Sequence, residues 1–321
     1  MVTTKSGSQD KVTLSYSNQL EWTNIRHIPE IMDAQQYKTK LIEYGEQTEA
    51  TMQALIADGY WDGKSTTDWS KHSFETGFSQ RHTLSAEGGS AKGQYLLSLS
   101  YINEDGMALG KNDLMERFTG TVNGSYKVTD WLRVGNTTNF YKQKRRSGSD
   151  SGNTIYTSSF WGGVVTLDPI MSYSYPANAL PSRMQSLLDG GYKLARDDDG
   201  NYYSVSALQS VEQIHPIIQT QVSNSYNNSY GVSGTLFAEA NPLKGLTLTS
   251  RLGYRFNTNS SYYYAYYYYG NPVRSNTTNN GVSRSMSTTR YYQWENFANY
   301  TKTWDKHTLT AMAGMAFDKS H

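Results

Sequence analysis

Cysteine is absent from the 321 residues, which removes a disulfide framework, a thiolate nucleophile and a Cys-ligated zinc site together. An excess of one charge sign is also missing. With 29 Lys and Arg against 28 Asp and Glu, no global field draws in nucleic acid or an anionic surface. Hydrophobic residues make up only 37%, below the roughly 45–50% of ordinary globular chains, so a conventional two-layer core is not expected. No stretch reaches the roughly 18 consecutive apolar residues of a transmembrane helix. The richest patch, Tyr95 to Ile102, is interrupted by serines. The opening Met1-Val2-Thr3-Thr4-Lys5-Ser6-Gly7 has no cationic region followed by an apolar one, so it carries no export signal. The chain reads either as cytosolic or as lacking its true beginning.

Enzymatic signatures are missing too. The sequence has no Gly-x-Ser-x-Gly and no P-loop, and Gly88-Gly89 followed by Lys92-Gly93 opens no helix that would cradle phosphate. The histidines, His27, His72, His82, His215, His307 and His321, include no pair at metal-binding spacing. Asp197-Asp198-Asp199-Gly200 resembles part of a calcium loop but lacks the later acidic ligand. It reads first as a solvated hairpin turn. No catalytic, cofactor or metal site is assigned, and the chain is expected not to be an enzyme.

What the sequence does have is tyrosine, 27 in all, and period-two alternation. From Arg117 to Tyr126, Phe118, Val122 and Tyr126 oppose Arg117, Thr119, Thr121 and Asn123. From Leu246 to Asn257, Leu246, Leu248, Leu252, Tyr254 and Phe256 oppose Thr247, Thr249, Arg251 and Arg255, with Ser250 the exception on the apolar side. This pattern predicts about nine strands, near residues 11–22, 74–87, 93–103, 115–127, 131–144, 225–240, 245–262, 286–303 and 307–319. Many exceed ten residues. Strands in soluble sheets usually run to about 5–6 residues, whereas a tilted bilayer-crossing strand needs about 9–11. The connections also sort by size. Turns around 88–92, 128–130, 241–244 and 304–306 are short, whereas 23–73, 104–114, 145–224 and 263–285 are long, which is the layout of an outer-membrane barrel. The fold class is therefore all-β: an antiparallel transmembrane β-barrel, here partial, with long extracellular loops. A helical run from Met32 to Ile56, ending before Gly59, is expected on the rim. The tract Tyr262 to Tyr269 suits either an interfacial aromatic girdle or stacking platforms for a sugar or peptide.

The residues Trp69-Ser70-Lys71-His72-Ser73-Phe74-Glu75-Thr76-Gly77-Phe78-Ser79-Gln80-Arg81-His82-Thr83-Leu84-Ser85-Ala86-Glu87-Gly88-Gly89-Ser90 resemble the entry into the barrel of SusC/RagA-type TonB-linked outer-membrane transporters. In order after them come Tyr95 to Tyr101 with Glu104-Asp105-Gly106, then Glu116-Arg117-Phe118, then Lys127 to Gly135, which look like that family's next hairpins. Leu243 to Leu248 and Lys306 to Ala311 look like further strand starts. The resemblance implies that residues 1–10 end a plug domain and that 11–321 are the N-terminal part of an incomplete barrel. It implies uptake of a large nutrient, an oligosaccharide or in some members a peptide, across a bacterial outer membrane. The expected partners are a SusD-like surface lipoprotein, outer-membrane lipid, and the TonB complex, reached through an N-terminal part absent from this sequence. Cofactors are not expected. Trp161, Tyr202, Tyr203, Tyr264 and Tyr267 are the aromatic candidates for contact with substrate or lid. Two rival readings stay open: a passive porin-like channel, and a soluble or surface all-β carbohydrate-binding module. An all-β glycosidase is a third and would need two facing carboxylates.

Overall fold

The computed structural model describes residues 12–110, 113–146, 160–208 and 213–321. The proposed plug end at 1–10 lies outside them. In chain order the elements are β1 (Thr13–Thr23), α1 (Ala34–Glu43), α2 (Glu49–Ala57), β2 (Gly77–Gly89), β3 (Gly93–Asp105), β4 (Leu114–Lys127) and β5 (Leu132–Arg145). They continue with α3 (Phe160–Thr166), β6 (Ser174–Tyr175), α4 (Ser182–Asp189), β7 (Tyr202–Tyr203), α5 (Pro216–Gln221), β8 (Ser223–Leu243) and β9 (Leu246–Ala265). Last come β10 (Tyr268–Tyr269), β11 (Ser275–Asn276), β12 (Val282–Trp304) and β13 (His307–Ser320).

The nine long strands form one sheet in the order β1-β2-β3-β4-β5-β8-β9-β12-β13, and every neighbour pair is antiparallel. Each predicted strand is present, with β3, β8, β9 and β12 running longer than expected and the others within a residue or so of the expected length. β1 and β13 do not pair with each other, so the sheet is open. Tight turns close one end. Asp305 takes φ 50 and Gly245 takes φ 86, left-handed values that Gly, Asn and Asp tolerate best. The ladder slips between Ala240 and Leu243, where Pro242, with no N–H to donate, falls in a bulge.

Register fixes the faces. Leu84, Leu99, Gly120, Phe140, Val232 and Phe256 line up across successive strands, as do Ala86, Leu97 and Val122. Leu236, Leu252, Trp294 and Phe317 make a further apolar row. On the opposite face Ser85, Ser98, Thr121, Asn139, Ser233 and Arg255 align, and Arg251 lies 5.1 Å over the Phe297 ring there. Ser250, the odd polar residue on the apolar face, accepts the Trp294 indole N–H at 3.0 Å. That bond satisfies a donor that lipid could not.

The helical run of the first long loop is two helices, not one. Tyr44 caps α1 and Gly45 follows at φ 73, a left-handed stop that ends the helix. α1 starts with a capping box, in which Gln36 N–H donates to Asp33 and Asp33 N–H donates to Gln36. The buried core lies in the loops rather than on the sheet. Ala34, Met52, Tyr60, Trp69, Ile170, Met171 and Met184 are all at most 1% exposed, so the long loops pack into a cored cap at one rim.

Candidate functional site

The cap is bound together across long stretches of chain. Asp168, fully buried, accepts from Tyr37 at 2.7 Å and from Ser206, while its backbone oxygen takes the Trp69 indole N–H at 3.0 Å. Tyr60 receives the Ala207 N–H at 3.0 Å, and Tyr175 donates to the Tyr60 carbonyl at 2.5 Å. Burial raises the Tyr60 phenol well above its ordinary pKa and takes Tyr175 up to about 12, so both stay neutral donors. His215 caps α5 by accepting the Ile217 N–H at Nδ1, 3.2 Å away, while Nε2 lies 3.0 Å from the Tyr173 carbonyl. Those two contacts fix the neutral Nε2–H tautomer. Burial, foremost, lowers its pKa to about 3.

Between this cap and the strand ends lies a cleft of about 850 Å³. Tyr173, Tyr203 and Tyr266 supply rings, Asp197, Asp198, Asp199 and Glu75 supply carboxylates, and Arg146 supplies a cation. Tyr203 meets Tyr173 edge-on at 5.5 Å, and His72 stacks on Tyr173 at 4.5 Å. The Asp cluster is a hairpin turn. Asp197 accepts from the backbone of Asp199 at 3.1 Å and Asn201 at 2.8 Å, and Gly200 turns at φ 84. Asp198 and Asp199 are exposed at the mouth.

Of the aromatic candidates read from the sequence, only Tyr203 lines this cleft. Tyr202 is buried under the Arg196 guanidinium, 4.2 Å from its ring. Trp161 packs on Phe74 at 5.6 Å. Tyr264 lies next to the end of β9 and meets Tyr266 at 4.7 Å, and Lys193 covers Tyr267 at 5.1 Å. Tyr266 belongs to the tyrosine tract read from the sequence as girdle or stacking platforms, whereas Tyr173, Glu75 and Arg146 were not candidates there, and only the fold brings the four together.

Aromatic rings also mark the two margins of the apolar face. Toward the long loops stand Tyr16, Tyr101, Phe118, Phe140, Tyr230, Phe256, Tyr292 and Phe317. Toward the short turns stand Tyr95, Tyr126, Tyr300 and Trp304. Tyr101 touches Phe118 at 4.7 Å and Phe256 touches Tyr292 at 5.2 Å. From Tyr292 to Tyr300 is about 27 Å of strand, or about 20 Å of height once tilted, close to the apolar band of outer-membrane barrels at about 25 Å. The tyrosine tract is not part of that margin, because Tyr262 and Tyr264 stand well beyond Phe256 on β9.

Two aromatic margins, an apolar outer face, a polar inner face and a cored cap at one rim define a segment of an outer-membrane β-barrel. No known protein-family profile matches the chain. It is similar to the TonB-dependent receptor P3 of Formosa agariphila, 25% identical over 167 residues that make up 50% of this chain and 15% of that protein. It is similar to the TonB-dependent receptor SusC of Bacteroides thetaiotaomicron, 25% identical over 172 residues, 53% of this chain and 15% of that protein. Its fold matches a chain of the RagAB peptide transporter with a TM-score of 0.77 at 20% identity, over 99% of this chain and 36% of that one. The same transporter, described as a peptide importer in its open-open state, matches with a TM-score of 0.71 at 21% identity. In sequence and in fold alike the chain is similar to a segment of SusC- and RagA-type barrels of the bacterial outer membrane.

Proposed function

We propose that this chain is the early-barrel part of a TonB-dependent transporter that imports a large, hydrogen-bonding nutrient, an oligosaccharide or a peptide, with a SusD-like surface lipoprotein as its lid. The observation that carries this is the inner face above the aromatic margin. On β8, β9 and β12 it consists of Ser225, Asn227, Ser229, Asn257, Asn259, Ser261, Ser285, Ser287 and Thr289, aligned in register. Hydroxyls and amides without charge can exchange hydrogen bonds with sugar hydroxyls or peptide backbone and hold neither tightly. The cleft above them, with Tyr266, Asp198 and Arg146, supplies a first grip. The long-loop rim faces the outside, and the polar face lines the lumen. TonB would act through a part of the protein other than these residues, and no step of chemistry on the substrate is assigned to them.

Two substitutions test the reading in the full-length transporter in its own cells. Tyr266→Ala with Asp198→Asn should lower substrate binding about tenfold, given that one stacking contact is worth about 0.5–1.5 kcal/mol and one hydrogen bond about 1 kcal/mol. Uptake that survives deletion of the neighbouring lipoprotein and of TonB would leave a passive channel instead.

A further inference from the structure

At the long-loop aromatic margin, the outer face of the sheet carries a groove of about 430 Å³ between β4, β5 and β8. Phe118 and Tyr230 form its floor, and Lys142 lies between them in register. One alternation further out, Lys144 lies between Glu116 and Asn228, with its ammonium 5.6 Å from the Tyr226 ring. Both lysines are exposed, and neither forms an ion pair among the described residues. Glu116 is engaged from the other side, where the Tyr101 hydroxyl donates to it.

We propose that this groove holds the phosphate of an outer-leaflet lipid headgroup, with Lys142 and Lys144 as its cationic side and Phe118 and Tyr230 as the floor on which the headgroup rests. Three features favour a lipid occupant. The groove opens on the apolar face, away from the lumen, so a soluble nutrient does not pass it. Its height is that of the headgroup layer, since Phe140, the last apolar ring on β5, is followed on the same face by Lys142. Its charge is two ammonium groups against one carboxylate, and basic side chains close to a membrane surface attract anionic headgroups. Asn228 and Glu116 are left to meet neighbouring headgroup hydroxyls. Lysines that merely extend into water from an apolar wall would show no preference for phosphate, and the test separates the two.

The proposal rests on the outer face being the lipid face. The full-length transporter carrying this segment is placed in phosphatidylcholine nanodiscs containing either phosphorylated lipid A or the same lipid with its phosphates removed. Retained lipid is read by native mass spectrometry. The phosphorylated form should be retained and the dephosphorylated form lost. Lys142→Gln with Lys144→Gln should cut retention about thirty-fold, from two basic groups near a membrane surface. Lys142→Arg with Lys144→Arg should keep it, and Glu116→Gln should raise it. Equal retention of both lipids, unchanged retention in the glutamine variant, or displacement by inorganic phosphate as readily as by lipid would overturn the site. Heat-modifiable migration on a gel reports barrel folding separately. Its loss in the parent protein would count against the barrel reading, whereas a folded barrel indifferent to phosphate counts against the headgroup site alone. If the glutamine pair does not fold, the Glu116→Gln arm still decides.

Discussion

At Gly120 the missing side chain is used by the next strand: the Phe140 ring lies where a Cβ would be. The same arrangement recurs on the inner face, where the Phe237 ring covers Gly135. A ring laid over a cross-strand glycine shields bare backbone and pins the register. Gly120→Val should therefore destabilise the folded barrel by about 1–3 kcal/mol through overpacking, read by urea unfolding in liposomes. In a Phe140→Ala background the same change should cost much less, and equal costs in the two backgrounds would refute the pairing. His215 makes a second prediction of this scale. Its folded pKa, about 3, lies below the usual value near 6.5, so the unfolded cap takes up a proton first as pH falls. Stability is complete above about pH 6.5 and declines between there and about pH 3. Amide protection factors across 213–222 should fall in that window. A His215→Leu protein should lose that slope, though it starts less stable without the helix cap.

Among the elements, the strands were legible because lipid and lumen act on alternate residues, which prints the fold into side-chain polarity along each strand. Leu248 and Leu252 against Arg251 and Arg255 is enough to orient β9. The cap was harder to read. Asp33 and Gln36 form a capping box by spacing alone, yet the break at Gly45 divides a run whose helical periodicity continues past it. The cleft was hidden for a different reason: Tyr173 and Tyr203 lie far apart in one long connection and Tyr266 in another, and they meet only in the folded cap that contacts such as Asp168 with Tyr37 and Ser206 hold together. Those contacts make a prediction for the cap as an element. Asp168→Ala leaves the half-buried Tyr37 hydroxyl and the buried Ser206 hydroxyl without their shared acceptor and should weaken the cap by about 2–4 kcal/mol. In the intact transporter this should appear as faster proteolysis within 160–208 and unchanged heat-modifiable migration. The topology is tested by the parent transporter in intact cells. Protease added outside should cut within 145–224 before any of the short turns, and cleavage confined to the periplasmic side would reverse the orientation.

For the whole molecule, the open sheet is the governing fact. β1 and β13 each have one neighbour, and unpaired strand edges in hydrocarbon cost several kcal/mol per unsatisfied group. The apolar face, with Leu97, Leu99, Phe118, Trp294 and Phe317 all exposed, has no second layer over it. Residues 1–321 produced alone should aggregate in water and fail to show heat-modifiable migration, while the full-length protein shows it. A soluble monomer of this chain, melting cooperatively without detergent, would instead support a soluble binding module. The part of the chain that matches the curated receptors covers 15% of their length, so its behaviour in isolation bears on assembly rather than on transport.

The strands also rise unevenly past the aromatic margin. β4 ends at Leu114, soon after Phe118, whereas β12 runs from Tyr292 back to Val282, about 34 Å of strand. The rim is thus a slanted collar, low on the β2 to β5 side and high on the β8 to β12 side, and the cap bridges the two, packing on Phe74 and Ala108 at the low side and on Tyr269 at the high one. The cleft lies where the collar changes height, since Glu75, Leu109 and Gly110 line it from the low connections and Ser223 and Tyr266 from the ends of the tall strands. Under the proposed transport reading, antibodies against either the low connections or the upper ends of the tall strands should slow uptake by whole cells, and binding at both places without any block would count against this cleft as the way in.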